Sequence, residues 1–212
     1  MKTLLKSVFF SLALSTVVVS AGAQTVVWDQ GPTTGVFAGS WVNYTSGQNF
    51  ADSVRFTNDT FVDGLNYFTD FDLSSKTSAY AFHLKILSDN SGTPGSVLFQ
   101  SDLGFTSFGT TNNARIKVAT FSFAPQLFAA NATYWVGLSG NGFEAAQASV
   151  QMPQDGKMAQ FSGSAYSHMA GVGDQMFQLT AAPVPEPETY AMLLAGLGLL
   201  GAVAKRRKVQ QA

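Results

Sequence analysis

Cysteine does not occur in the 212 residues. Its absence excludes a disulfide framework, a thiol nucleophile and any cysteine-ligated metal. Histidine is nearly as scarce, with only His83 and His168. Zinc takes three or four nitrogen or sulfur ligands, so two distant histidines do not make a zinc site. Serine hydrolysis needs a serine held by a histidine that an acid orients. No G-x-S-x-G elbow is present to carry it, and Gly163-Ser164 does not fit one. Between residues 24 and 182 the only glutamate is Glu144, with no motif around it, which leaves little for a paired-carboxylate glycosidase to draw on. Helical patterning is also missing, since no run between 25 and 182 repeats at 3.6 residues.

Charge is sparse, at 12% of residues, and the formal net charge of the whole chain is −1. The sign is unevenly placed. From Gln24 to Ala182 there are six basic and eleven acidic side chains, which leaves this stretch at −5. An acidic domain repels phosphate backbones, so nucleic acid is excluded as a partner, and anionic polysaccharides are disfavoured unless divalent cations bridge them. What the chain does have is aromatic side chains, 18 of them phenylalanine. A core rich in phenylalanine suits a domain that has no disulfides to hold it.

The first 23 residues read as a signal peptide. Lys2 and Lys6 form a basic start, Val8 to Val19 an apolar stretch, and Ala21-Gly22-Ala23 a small-residue cleavage site. Signal peptidase is the expected partner there, and the mature chain is expected to begin at Gln24. The next roughly 160 residues are enough for one domain with a sizeable core.

Residues 24–180 read as an all-β domain, an antiparallel β-sandwich. Short β-rich runs alternate with Gly/Asn/Asp/Ser/Pro clusters, and there is no internal repeat. The clearest strand is Tyr80 to Ile86. Its alternation puts Tyr80, Phe82, Leu84 and Ile86 on one face and Ala81, His83 and Lys85 on the other. The turn residues Asp89 to Gly95 follow, and Val97 to Gln100 returns. Further strands are expected at Thr25–Trp28, Gln48–Phe56, Phe61–Phe68, Ile116–Phe123, Thr133–Leu138 and Gln175–Leu179. In Thr133–Leu138 the face carrying Tyr134, Val136 and Leu138 is expected in the core. Residues 141–175 are poorly patterned and read as long loops with an interrupted strand.

Two groups of side chains invite a binding role. Asp63, Asp70 and Asp72 offer the hard oxygens that calcium prefers, but neither EF-hand spacing nor a calcium-binding nonapeptide repeat is present. They read as strand-edge and turn residues, and no metal or cofactor is expected. Trp28, Trp41 and Trp135 have the flat rings on which sugars stack, although aromatics of a two-layer sandwich mostly line its core or rim.

The C-terminus is the most specific part of the sequence. Residues 181–188 form a linker containing Val184-Pro185-Glu186-Pro187. Residues 189–204 are uncharged and rich in Leu, Ala and Gly, and Lys205-Arg206-Arg207-Lys208 open the basic tail 205–212. A helix over 189–204 would span roughly 24 Å, slightly short of the ~30 Å hydrocarbon core, with basic side chains snorkelling at one end. The tail is expected to stay cytoplasmic and the Pro/Glu motif to lie just outside the membrane. This three-part pattern resembles the PEP-CTERM sorting signal of Gram-negative bacteria. The resemblance implies an exosortase-type processing enzyme that cuts near Pro185–Pro187, temporary anchoring in the inner membrane, and delivery to the cell surface or extracellular matrix. The segments Gln48–Val54, Gly64-Leu65, Gly92–Gly95 and Thr133–Val136 look like the jelly-roll-like sandwich common in proteins with this tag, which is similar in architecture to carbohydrate-binding modules. The implied role is non-catalytic and linked to exopolysaccharide in biofilm. A polysaccharide-modifying enzyme and a calcium-dependent adhesin stand as alternatives.

Overall fold

A computed structural model describes residues 24–31, 40–42, 47, 49–70, 72–73, 82–141, 145–147, 157–169, 174–182 and 194–198. Among them are thirteen strands: β1 (Thr25–Asp29), β2 (Ser40–Val42), β3 (Asn49–Arg55), β4 (Thr60–Thr69), β5 (Phe82–Asp89), β6 (Pro94–Leu103), β7 (Phe105–Thr110), β8 (Lys117–Phe128), β9 (Thr133–Gly140), β10 (Ala145–Gln147), β11 (Ala159–Phe161), β12 (Tyr166–His168) and β13 (Phe177–Ala181). One sheet has the order β1-β13-β4-β8-β7, a second β12-β11-β3-β9-β5-β6, and β10 pairs with β2. Every pairing is antiparallel.

The two large sheets enclose one core, as the alternating sequence pattern predicts. Phe82, Leu84 and Ile86 point inward from β5, joined by Val136 and Leu138 of β9 and by Phe50 and Val54 of β3. Leu65 and Tyr67 of β4, Phe121 of β8, and Phe177 and Leu179 of β13 meet them from the other sheet. Rings contact edge to face across the gap, Phe82 to Phe121 at 5.0 Å and Phe82 to Tyr67 at 5.7 Å. That geometry aligns the positive ring edge with a negative ring face. Burial, and secondarily Asp70, pushes the Tyr67 phenol well above its ordinary pKa, so Tyr67 is neutral.

Two carboxylates, Asp52 and Asp174, are fully buried among the described residues. Asp52 on β3 is fully buried, and its carboxylate accepts the backbone N–H of Ser53 at 2.7 Å and of Gln175 at 2.6 Å. Two amide donors offset much of the cost of burying a carboxylate. They also tie β3 of one sheet to the segment that leads into β13 of the other.

The expected strands are all present, some longer than the sequence pattern suggested. β8 runs on to Phe128 and β6 to Leu103. β7 was not anticipated: Phe105-Thr-Ser-Phe-Gly-Thr is mostly polar, as suits a sheet edge with only β8 beside it. Within 141–175 the described residues contain three short strands, β10, β11 and β12. Tyr80 and Ala81 lie outside the described residues, as does the signal segment 1–23. Of 189–204, residues 194–198 are helical, and among the described residues no helix is long and apolar enough to cross a membrane.

Because Phe82 touches rings of the opposite sheet, Phe82→Ala is expected to cost about 3–5 kcal/mol. Denaturant unfolding monitored by circular dichroism would measure it. A loss under about 1 kcal/mol would mean that these cross-sheet rings do not hold the sandwich together.

Candidate functional site

The outward face of the six-stranded sheet is partly roofed, and this is where a site forms. On β3 and β9 the outward residues include Ala51, Trp135 and Gly137, and Leu87 lies beside them on β5. Ala51, Leu87, Trp135 and Ala159 form a small second core against which Tyr166 packs. A methyl group on Gly137 would run into the Phe50 carbonyl, so only glycine lets the neighbouring strand lie this close. Small residues at 51, 137 and 159 leave room for the β11–β12 hairpin to settle on the sheet.

Trp135 is therefore fully buried, in the core as most aromatics of a two-layer sandwich are, and is not available as a sugar platform. Its face of β9 is covered by chain from 24 to 31 residues further on, a contact that the local pattern does not reveal. The indole Nε1 donates to Asp89 Oδ1 at 2.9 Å. The same carboxylate accepts the Gly92 N–H, at 3.2 Å from Oδ1 and 3.1 Å from Oδ2. Ser91 and Gly92 both have positive φ, 54° and 86°, and Asn90 and Thr93 exchange backbone hydrogen bonds around them. This is the two-residue hairpin turn that follows the right-handed strand twist. Asp89 thus fixes both the turn and the tryptophan beneath it.

Between that turn and the β11–β12 hairpin lies a groove of about 700 Å³, within the roughly 300–1,000 Å³ usual for ligand sites. Phe161 and Tyr166 form one wall, their rings 5.1 Å apart and tilted by 54°. Ser88, Asp89, Asn90 and Ser96 form the other wall, and Lys85 lies between them with its ammonium 6.0 Å from the Phe161 ring centre. Partial burial lowers the Lys85 pKa from its ordinary value. The groove thus combines half-exposed aromatic faces with donors and acceptors closely spaced around them.

A second arrangement on the same face crosses four strands. Asp102, His83, Ser139 and Asn49 occupy one row of β6, β5, β9 and β3. His83 Nδ1 lies 2.7 Å from Asp102 Oδ1, and Ser139 Oγ donates to Asn49 Oδ1 at 3.0 Å. An acid, a histidine and a serine side by side look like a hydrolytic set, yet Ser139 is buried and its proton is directed to Asn49. The row reads as a polar seam that satisfies buried groups.

The other sequence candidates are dispersed. Asp63 accepts from Gln24 Nε2 at 3.3 Å, Asp72 lies 3.9 Å from Lys117 Nζ, and Asp70 is exposed. Among the described residues, no three His, Cys, Asp or Glu side chains are placed to hold a metal ion. Trp28 packs edge-on against Phe56 and donates to Gln30, and the side chain of Trp41 lies outside the described residues. Gln24, the expected first mature residue, is clamped between Asp63 and Thr180, whose Oγ1 donates to Gln24 Oε1 at 3.0 Å. A methyl group on Gly64 would occupy that clamp. Ala21, Ala23, Val184, Pro185, Glu186, Pro187, Lys205, Arg206, Arg207 and Lys208 lie outside the described residues.

Val184–Pro187 and Lys205–Lys208 fall within a match to a known motif. Residues 183–208 carry the PEP-CTERM protein-sorting motif. It spans the Val184–Pro187 core, the apolar run and the basic cluster, the same three parts the sequence offers. The PEP-CTERM motif implies export, membrane anchoring and processing by an exosortase. No curated protein and no solved structure matches the chain.

Asp89→Ala is expected to remove the acceptor of both the Trp135 indole and the Gly92 amide, costing about 1–3 kcal/mol. Indole fluorescence should shift to the red as Trp135 gains water. Asp89→Asn keeps an acceptor oxygen and should recover much of the loss. A silent Asp89→Ala would show that the turn and floor stand without this carboxylate.

Proposed function

We propose that this is a non-catalytic β-sandwich protein of the bacterial cell surface, associated with exopolysaccharide through the groove between the β5–β6 turn and the β11–β12 hairpin. Residues 1–23 direct it into export and are removed by signal peptidase. Residues 189–204 then hold it in the inner membrane as a spanning helix, with Lys205–Lys208 on the cytoplasmic side. The exosortase-type enzyme cuts near Pro185–Pro187 and passes the body to the surface or matrix.

The groove carries this reading. The C–H edges of a pyranose ring are weakly positive and stack on aromatic faces, while its equatorial hydroxyls need donors and acceptors around the ring plane. Phe161 and Tyr166 supply the faces, and Ser88, Asn90, Ser96 and Lys85 supply the polar partners. The surrounding domain is acidic, so neutral sugar residues suit the groove better than a densely anionic chain.

Two measurements test the two halves. Intact mass of the protein from membrane and secreted fractions should show a species that begins at Gln24 and ends near Pro185–Glu188. Only chains that retain Lys205–Ala212, found in membranes alone, would leave a plain anchored protein. For the groove, affinity electrophoresis against the host's own exopolysaccharide should show retardation. Phe161→Ala or Tyr166→Ala should weaken it by roughly tenfold, equivalent to about 1.4 kcal/mol. Equal mobility of the wild type with and without polysaccharide would sink the carbohydrate reading.

A further inference from the structure

Both ends of the folded body lie at one place. Thr25 pairs with Ala181 on the adjacent strands β1 and β13, so the signal segment and the sorting segment leave the domain about 5 Å apart. Across the sheet from β13, Thr180 aligns with Gly64 of β4, so Thr60 to Val62 project past the last paired residue of β13. Their partners on β8, Gln126 to Phe128, project with them.

This projecting ribbon carries apolar side chains in the open. Phe61 and Leu127 are direct cross-strand partners, 63% and 50% exposed. Val26 on β1, at the same end of the same sheet, is 42% exposed. Val97 and Leu98 of β6 are exposed as well, but Phe61 and Leu127 are direct cross-strand partners and so join into one apolar patch. The middle of this sheet shows the contrast. There Asp29, Gln178, Asn66 and Thr120 form a hydrogen-bonded ladder across four strands.

The reach of the tether decides what these residues meet. Seven residues, 182–188, separate Ala181 from the apolar run that begins at Thr189, and fully extended the stretch from Ala181 to Thr189 spans at most about 28 Å. The body is longer than that, because ten residues of β8 between Lys117 and Leu127 rise roughly 33 Å. The exit end therefore faces the bilayer at short range while the chain remains anchored. The β7–β8 turn around Asn112 is at the far end.

We propose that the exit end of the sandwich docks on the membrane before processing, with Phe61 and Leu127 seated in the lipid interface. The proposal rests on the tether of the preceding section. The occupant is the lipid surface, because the bilayer is the one apolar phase that the tether brings within reach of this ribbon. Aromatic and leucine side chains at the headgroup boundary are the usual means by which a protein surface holds to a bilayer without crossing it. Cutting near Pro185–Pro187 removes the tether and leaves only this shallow contact, which suits a body that must then leave.

The missing cysteine makes the test clean. Single variants Phe61→Cys, Leu127→Cys and Asn112→Cys of the full chain would carry an environment-sensitive fluorophore in phosphatidylcholine vesicles doped with spin-labelled lipid. Probes at 61 and 127 should shift to the blue and be quenched severalfold more than the probe at 112. Alkaline extraction reads the tether separately. A chain that resists alkali but shows equal quenching at 61 and 112 overturns the docking alone. A chain washed off by alkali overturns the tether, and the docking with it. Probes at 61 that are shielded from lipid and quench one another would assign the ribbon to a second copy of this chain and overturn the lipid assignment.

Discussion

The fold depends on a contact between rings. Phe82 of one sheet sits edge to face against Tyr67 and Phe121 of the other, at 5.7 and 5.0 Å. With no cysteine, nothing covalent closes the sandwich, so the packing energy of such rings has to do so. A side chain this large is also specific. Slipping β5 by one residue would send Phe82, Leu84 and Ile86 to the outer face and bring His83 and Lys85 inside. The strand register, and with it every outward-facing row, follows from where these rings fit. A further pair, Phe56 against Phe128 at 5.4 Å, closes the end from which the chain leaves. The buried Asp52 carboxylate adds a polar tie between β3 and the approach to β13.

The outer faces are built for different surroundings. On the five-stranded sheet, amide and carboxylate side chains form hydrogen-bonded ladders that tolerate water. On the six-stranded sheet, a run of small residues invites the β11–β12 hairpin to fold back, and Trp135 fills the space beneath it. Covering half of a sheet face necessarily creates a rim where covered and open parts meet. The groove lies along that rim. It is bounded by a turn that Asp89 fixes from below and by the half-exposed rings of Phe161 and Tyr166.

How much of this was legible in the sequence depends on the range of each interaction. The alternation of Phe82, Leu84 and Ile86 is local and identified both the strand and its core face. Asp89 to Gly95 announced its turn through residues that tolerate positive φ. Trp135 was ambiguous because its neighbours Tyr134 and Val136 claimed the core, and only the distant hairpin at 159–168 shows that the opposite face is buried too. The pairing of His83 with Asp102 depends on register across 19 residues, and the Ser139–Asn49 hydrogen bond spans 90. The groove needs four chain segments at once, so no linear window contains it. The sorting motif is the opposite case. Its three parts lie in consecutive residues, 183–208, so one linear window contains it whole.

That difference bears on where the chain ends sit. The N-terminal segment proposed as a signal and the C-terminal sorting motif are far apart in sequence, yet the strands that adjoin them are neighbours, with β1 at the edge of the described sheet and β13 next to it. The Gln24 amide, clamped between Asp63 and Thr180, belongs to the body and not to the signal. Among the described residues, the paired strands and the ring contacts of the core all lie between Gln24 and Ala182. The proposed cuts before Gln24 and near Pro185 would therefore fall beyond those contacts, on two neighbouring strands, with no additional element needed to protect the core.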